Sequence, residues 1–270
     1  MNTTAPAVLP FDVRLMNAVA SALFAAALLM LLGAMLLWVA RLPLFAIQGV
    51  SVSGDVAHYN AITLRANVMP RLQGTFFTLD LKEARKVFES VPWVRRAVVR
   101  REFPNRLKVQ LQEHQAVAFW GAEGESRLVN SFGEVFEANV GEIEQDNLPR
   151  LNGPEGQSAQ VLAMHQTLQP LFTPMDLTLD QLELTARGGW RAQLDTGTEL
   201  ELGSGETAEL MARAERFLKT VAQVTARYQR NPSQLASVDL RHSDGYAIRM
   251  TGVSTLAGDE MKKTATQDNR

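Results

Sequence analysis

Residues 91–109, VPWVRRAVVRREFPNRLKV, place six basic side chains in nineteen positions: Arg95, Arg96, Arg100, Arg101, Arg106 and Lys108. Such a stretch suits either a polyanion-binding surface or the outside of a β-hairpin. The apolar residues decide between them. Leu107, Val109 and Leu111 alternate with Lys108, Gln110 and Gln112, and residues 97–101 lie across a Phe103-Pro104-Asn105 turn. Period-two alternation beside a turn marks a hairpin with one buried face. The basic residues then take the solvated face, where charge also discourages sheet-to-sheet association. Downstream, between Glu123 and Asp146, seven carboxylates stand against Arg127 alone. The basic block is thus counterbalanced within the chain, and nucleic acid is not an expected partner.

Working outward, residues 45–113 read as a β-α-α-β-β unit. Ile47, Val50 and Val52 begin a strand that stops at Ser53-Gly54-Asp55. Ile62, Leu64, Ala66, Val68 and Met69 give a first helix its apolar face before Pro70. Asp80 with Glu83 has the spacing of a capping box, and Leu81, Ala84, Val87, Phe88 and Val91 recur at helical intervals until Pro92.

Before this unit, residues 15–40 carry no charge and are bracketed by Arg14 and Arg41. As a helix rising about 1.5 Å per residue, such a run crosses a hydrocarbon core of roughly 30 Å. It exceeds the usual signal-peptide core of about 7–15 residues, and Trp38 would sit badly at a cleavage site. An uncleaved span is expected. Its flanking charges do not orient it.

From His114 to about residue 256 the pattern becomes mostly strands. Leu128-Val129-Asn130 and Val135-Phe136 flank a short turn, and the loop of Gly153-Pro154-Glu155-Gly156 precedes a helix with Val161, Leu162, His165 and Leu168. Strands are expected at 182–186, 190–194 and 200–202, and an amphipathic helix at 206–228. A last hairpin pairs 238–241 with 246–250 through Asp244-Gly245. Residues 257–270 read as a disordered tail, and 1–14 as a short N-terminal segment. The fold class is α+β: one transmembrane helix, a β-α-α-β-β domain and a mostly antiparallel β domain with helices.

Composition narrows the function. The 270 residues are 46% hydrophobic and 21% charged with a net charge of −2 and no cysteine. That excludes disulfides and thiolate chemistry and leaves the redox compartment open. Gly203-Ser204-Gly205-Glu206-Thr207-Ala208 matches a dinucleotide-binding fingerprint, but the next strand is too distant and no acidic residue closes a strand about 20 positions on. A glycine turn with Ser204 or Thr207 capping a helix is expected instead. His58, His114, His165 and His242 are scattered, and no G-x-S-x-G occurs. The sequence offers no catalytic constellation, cofactor site or metal site.

A series of motifs carries the reading further. They are Leu44-Phe45, Val52-Ser53-Gly54 with His58, Gly74-Thr75-Phe76-Phe77, Val91-Pro92-Trp93-Val94 and the run from Val99 to Leu107. Glu113-His114, Phe119-Trp120, Leu128-Val129-Asn130, Gly133-Glu134-Val135-Phe136, Gly153-Pro154-Glu155-Gly156 and Val238-Asp239-Leu240-Arg241 follow. In order and spacing beside the span, the chain resembles the FtsQ/DivIB family of bacterial cell-division proteins.

That resemblance implies a POTRA domain at 45–113 and the family's β domain at 114–256. It also implies an inner-membrane anchor with the N-terminus cytoplasmic, the bulk periplasmic, and location at the septum. The implied role is a non-enzymatic scaffold that binds FtsB and FtsL and helps control septal wall synthesis. FtsB binding would proceed by strand addition at the last strand, with Tyr246, Ala247, Ile248, Arg249 and Met250 pairing and Arg241 and Arg187 as charged contacts. His242 and Met250 depart from the tyrosine and tryptophan that relatives can carry there. Trp93 and Phe103 are expected to pack inside the POTRA domain. Its basic face is either a solvated surface or a contact for other division proteins. Two readings compete with the scaffold: a POTRA-bearing assembly or transport factor, which needs a membrane β-barrel, and a membrane-tethered enzyme or wall binder.

Overall fold

The computed structural model describes residues 11–54, 61–142, 147–242 and 244–250. The expectations for His58, for residues 1–10 and for the tail lie outside them. The chain divides into two compact units, Met1–Glu113 and His114–Arg270.

The first unit opens with helix α1, Phe11–Ala40, which buries none of its side chains. Its length and composition fit a membrane span. After a 3-10 turn at Pro43–Phe45 come β1 (Gly49–Gly54), α2 (Ala61–Val68), α3 (Leu81–Glu89), β2 (Val94–Glu102) and β3 (Arg106–Glu113). The sheet order is β1-β3-β2, with β1 parallel and β2 antiparallel to β3. In β3 every second residue is buried, so Leu107, Val109 and Leu111 meet Leu64 and Val68 of α2 and Ala84 and Phe88 of α3 in one core. Hydrophobic burial sets this register, because a one-residue slip would turn Lys108 and Gln110 inward.

Three details differ from expectation. Asp80 caps α3 by accepting from Lys82 N at 2.7 Å, but Glu83 pairs with Lys86 at 2.7 Å, so the reciprocal half of the box is absent. Trp93 is buried, at φ 59°, whereas Phe103 is 79% exposed with its ring edge-on to Phe76, because the turn projects it away from the core. Nor do all the arginines take the outer face, although Arg101 stays exposed. Arg101 shares the side of Ala97 and Val99 and donates to Phe76 O (2.5 Å) and Leu79 O (2.6 Å), tying down the loop before α3.

The second unit contains, among the described residues, nine strands in one open sheet. They are β4 (Ala116–Trp120), β5 (Arg127–Asn130), β6 (Val135–Glu137), β7 (Arg150–Asn152), β8 (Leu179–Leu184), β9 (Trp190–Leu194), β10 (Glu199–Gly203), β11 (Leu235–Asp239) and β12 (Ala247–Met250). The order is β12-β11-β10-β9-β8-β7-β4-β5-β6. Most pairings are antiparallel, while β4/β7, β7/β8 and β10/β11 are parallel. Helices α4 (Ser158–Phe172) and α5 (Thr207–Arg227) cover one face and share its core through Leu168, Phe172, Leu210, Ala214, Phe217 and Val221. The other face is polar, with Arg191 and Glu201 paired at 2.8 Å.

The glycine turn before α5 is present, with Gly203 at φ 81° and Gly205 at φ 145°. The expected cap is not. Glu206 holds the N-cap position without a side-chain bond, and Arg213 instead donates to Leu202 O and Ser204 O, each at 2.9 Å. The last hairpin is also looser than Asp244-Gly245 suggested. Asp239 pairs with Ala247, so the pairing stops well short of Asp244-Gly245 and Tyr246 precedes the strand. Its ring lies edge-on to Phe217 (5.3 Å) and its hydroxyl meets Thr220 Oγ1 at 2.8 Å, which anchors the loop on α5 in place of a tight turn.

Candidate partner-binding edge

β12 pairs with β11 on one side and forms the end of the sheet order among the described residues. Its other side therefore presents backbone N–H and C=O groups to whatever lies beside it, which is the template strand addition requires. Alternation sorts its side chains. Ile248 and Met250 turn toward the core, Met250 being buried, while Ala247 and Arg249 are exposed. Met250 thus anchors the strand to its own domain rather than offering a side chain outward.

Arg241 lies two residues beyond the end of β11, after Leu240. Its guanidinium forms a fork with Asp239, Nε to Oδ1 at 2.9 Å and Nη2 to Oδ2 at 2.6 Å, and its backbone N–H donates to the same Oδ1 at 3.0 Å. This fork, with its positive charge, lowers the Asp239 carboxyl from 3.8 to about 2. A depressed carboxylate pKa means that the pair contributes fully above 3.8 and is lost only as pH falls through about 2. The pair is exposed, so it orients Arg241 more than it stabilises the fold.

Gly203 completes the seat. At φ 81°, a Cβ added there would lie 2.8 Å from Cγ of Arg241, so the arginine stem crosses the backbone where only glycine leaves room. Sequence reasoning took Gly203 as part of a turn and did not connect it to Arg241. The available signal was its position at the end of the strand beside Val238–Asp239, which local periodicity does not reveal.

Arg187 stands exposed in the β8–β9 turn, which is closed by Thr185 N donating to Gly189 O at 2.8 Å. Register brings it to the same end of the sheet as Arg241. Gly203 pairs with Trp190, Glu201 with Asp239, and Asp239 with Ala247. The turn and the end of β11 are separated by two strand spacings, roughly 10 Å. His242, next after Arg241, is exposed.

Elsewhere, His165 in α4 donates through Nε2 to Leu179 O at 3.0 Å, and burial lowers its pKa below the usual 6.5. Among the described residues no group of three or more His, Asp or Glu is arranged to hold a metal.

A family profile described as "Cell division protein FtsQ/DivIB, C-terminal" matches residues 118–241, and one described as "POTRA domain, FtsQ-type" matches residues 45–114. A cell division protein FtsQ of Thiomonas arsenitoxydans is 40% identical, over 99% of this chain and 97% of its own length. Another, of Burkholderia pseudomallei, is 38% identical over 93% of this chain and 98% of its own. A more distant one, of Vibrio cholerae, is 31% identical over 77% and 75%.

Proposed function

The chain belongs to the FtsQ/DivIB family of cell-division proteins, and from that premise we propose that it is a non-enzymatic scaffold of the division machinery. It links early to late division proteins and binds FtsB and FtsL. FtsB adds a strand to β12, and the assembly controls septal peptidoglycan synthesis. The protein crosses the inner membrane once through α1, with its N-terminus in the cytoplasm and the bulk of the chain, after α1, in the periplasm at the septum.

The observation that carries this reading is the β12 edge, which has no further strand beside it among the described residues, with Arg241 and Arg187 at the same end of the sheet. Main-chain pairing supplies affinity that depends little on sequence, and the cations Arg241, oriented by Asp239, and Arg187 select a partner bearing carboxylates. The competing assembly-factor reading calls for a closed membrane barrel. The second unit's described strands instead form an open sheet with helices on one face.

The test is binding of the extramembrane segment of FtsB to the full chain carrying Arg241→Glu, Arg187→Glu or both. Each single reversal weakens binding by about tenfold or more, with circular dichroism unchanged. Wild-type affinity in the double variant would remove the arginines from the interface.

A further inference from the structure

We propose that the first unit carries a second membrane contact: an aromatic pole, Phe45, Phe77 and Phe103 with Leu44, that dips into the lipid–water interface beside the end of α1. This rests on the reading of α1 as a membrane span.

The pole is assembled from three separated segments of the chain. Phe45 and Phe77 meet edge-to-face at 4.9 Å, Phe77 and Phe76 at 5.2 Å, and Phe76 and Phe103 at 6.2 Å. Phe76 is buried and supports the others. Leu44 is 77% exposed, Phe77 52% and Phe103 79%. A contiguous apolar patch of this kind marks a site that meets something other than water.

Its position says what. Thr75 Oγ1 donates to the carbonyl of Ala40, the last residue of α1, at 2.6 Å. That carbonyl belongs to the final turn of a helix, which leaves its acceptors without intrahelical partners, so the hydroxyl caps the span from the folded unit. Phe76 N donates to Phe45 O at 2.7 Å, and Ala46 bridges to Thr75. The aromatic segments are therefore fastened to the end of the span itself.

Trp38 and Arg41 mark that level of the helix as interfacial, since indole rings and arginines collect where hydrocarbon meets headgroups. Arg101, bonded to Phe76 O and Leu79 O, holds the loop in shape, so the pole is preorganised. A bilayer is the occupant that continues from α1 onto this patch without a further partner. The consequence is mechanical: a unit held at two points sits against the membrane in one orientation instead of swinging on a linker.

The natural chain has no cysteine, so one introduced thiol is a unique labelling site. The full chain, one copy per nanodisc of phosphatidylethanolamine and phosphatidylglycerol, receives a nitroxide at Phe103→Cys. Leu28→Cys reports the middle of α1 and Gln110→Cys the exposed sheet face. Collision with oxygen is compared with collision with a water-soluble nickel complex.

The proposal expects the label at 103 to read about 5–10 Å below the headgroup boundary. The label at 28 should read deep and the one at 110 aqueous. Adding Phe77→Asp should return 103 to an aqueous reading without moving 28. If 103 reads as aqueous as 110 while 28 reads deep, the lipid contact is refuted and the span stands. An aqueous 28 removes the span reading and the proposal with it. Spin–spin broadening at 103 in discs holding two copies, with an aqueous reading in discs holding one, would make the patch a contact between copies and overturn the proposal.

Discussion

Asn130 shows how much order a single buried amide can impose. Its Oδ1 accepts from Phe132 N and Glu134 N, both at 2.9 Å, while Nδ2 reaches Glu134 Oε2 at 2.6 Å and His114 Nδ1 at 2.8 Å. The β5–β6 turn is thereby drawn against α4, where Gly133 O accepts from Ser158 Oγ and a Cβ at Gly133 would meet Ala159 Cα at 2.6 Å. Asn130→Ala leaves several buried polar groups to find new partners and should cost about 2–4 kcal/mol, read as a lowered midpoint in chemical denaturation. A change below about 0.5 kcal/mol would mean that water replaces the side chain. His165 supplies a pH dependence. Its folded pKa is depressed, so the unfolded chain binds more protons below pH 6.5, and its contribution to stability is present above that pH and declines as pH falls through it. The melting temperature should therefore drop further between pH 7.5 and 5 in the natural chain than in His165→Gln. Equal drops would contradict this. The sequence showed Asn130 at the end of a strand beside a turn and His165 on a helix, but neither environment was legible, because both are made by segments that meet only after folding.

At the scale of elements, the hairpin of β2 and β3 was the most readable part of the chain. Strict alternation in β3 specified which face is buried, and composition specified the turn. The fate of its arginines depends on tertiary reach, as Arg101 shows. On the outer face Arg100 stands directly across from Lys108. Like charges opposite one another destabilise a sheet, so Lys108→Glu should raise stability by about 0.2–1 kcal/mol. If the face serves only solubility, the variant gains stability and still localises to the septum. Loss of localisation from a well-folded variant would make the basic face a contact for other division proteins. In the second unit α4, α5, β9 and the β5–β6 turn were likewise legible from local periodicity. β4 and β7 were not, being short, without clean alternation, and paired in parallel with strands distant in sequence. The parallel β10/β11 pairing, which brings Gly203 under Arg241, escaped the sequence for the same reason.

At the scale of the whole molecule, the two units divide the work. Among the described residues, the first carries the candidate membrane span and a three-stranded sheet, and the second builds a nine-stranded sheet whose last strand lies at its rim. Sequence pattern anticipated both units and the last strand. It did not show that the strand lies at the edge, since edge position depends on the order of every strand between β6 and β12. That edge is the basis of the proposed partner role. The most direct test is amide hydrogen exchange on the full chain with and without the extramembrane segment of FtsB. Strand addition predicts new protection across Ala247–Met250, with smaller changes beside Arg241 and Arg187. Protection confined to residues 94–113, or none anywhere, would contradict it.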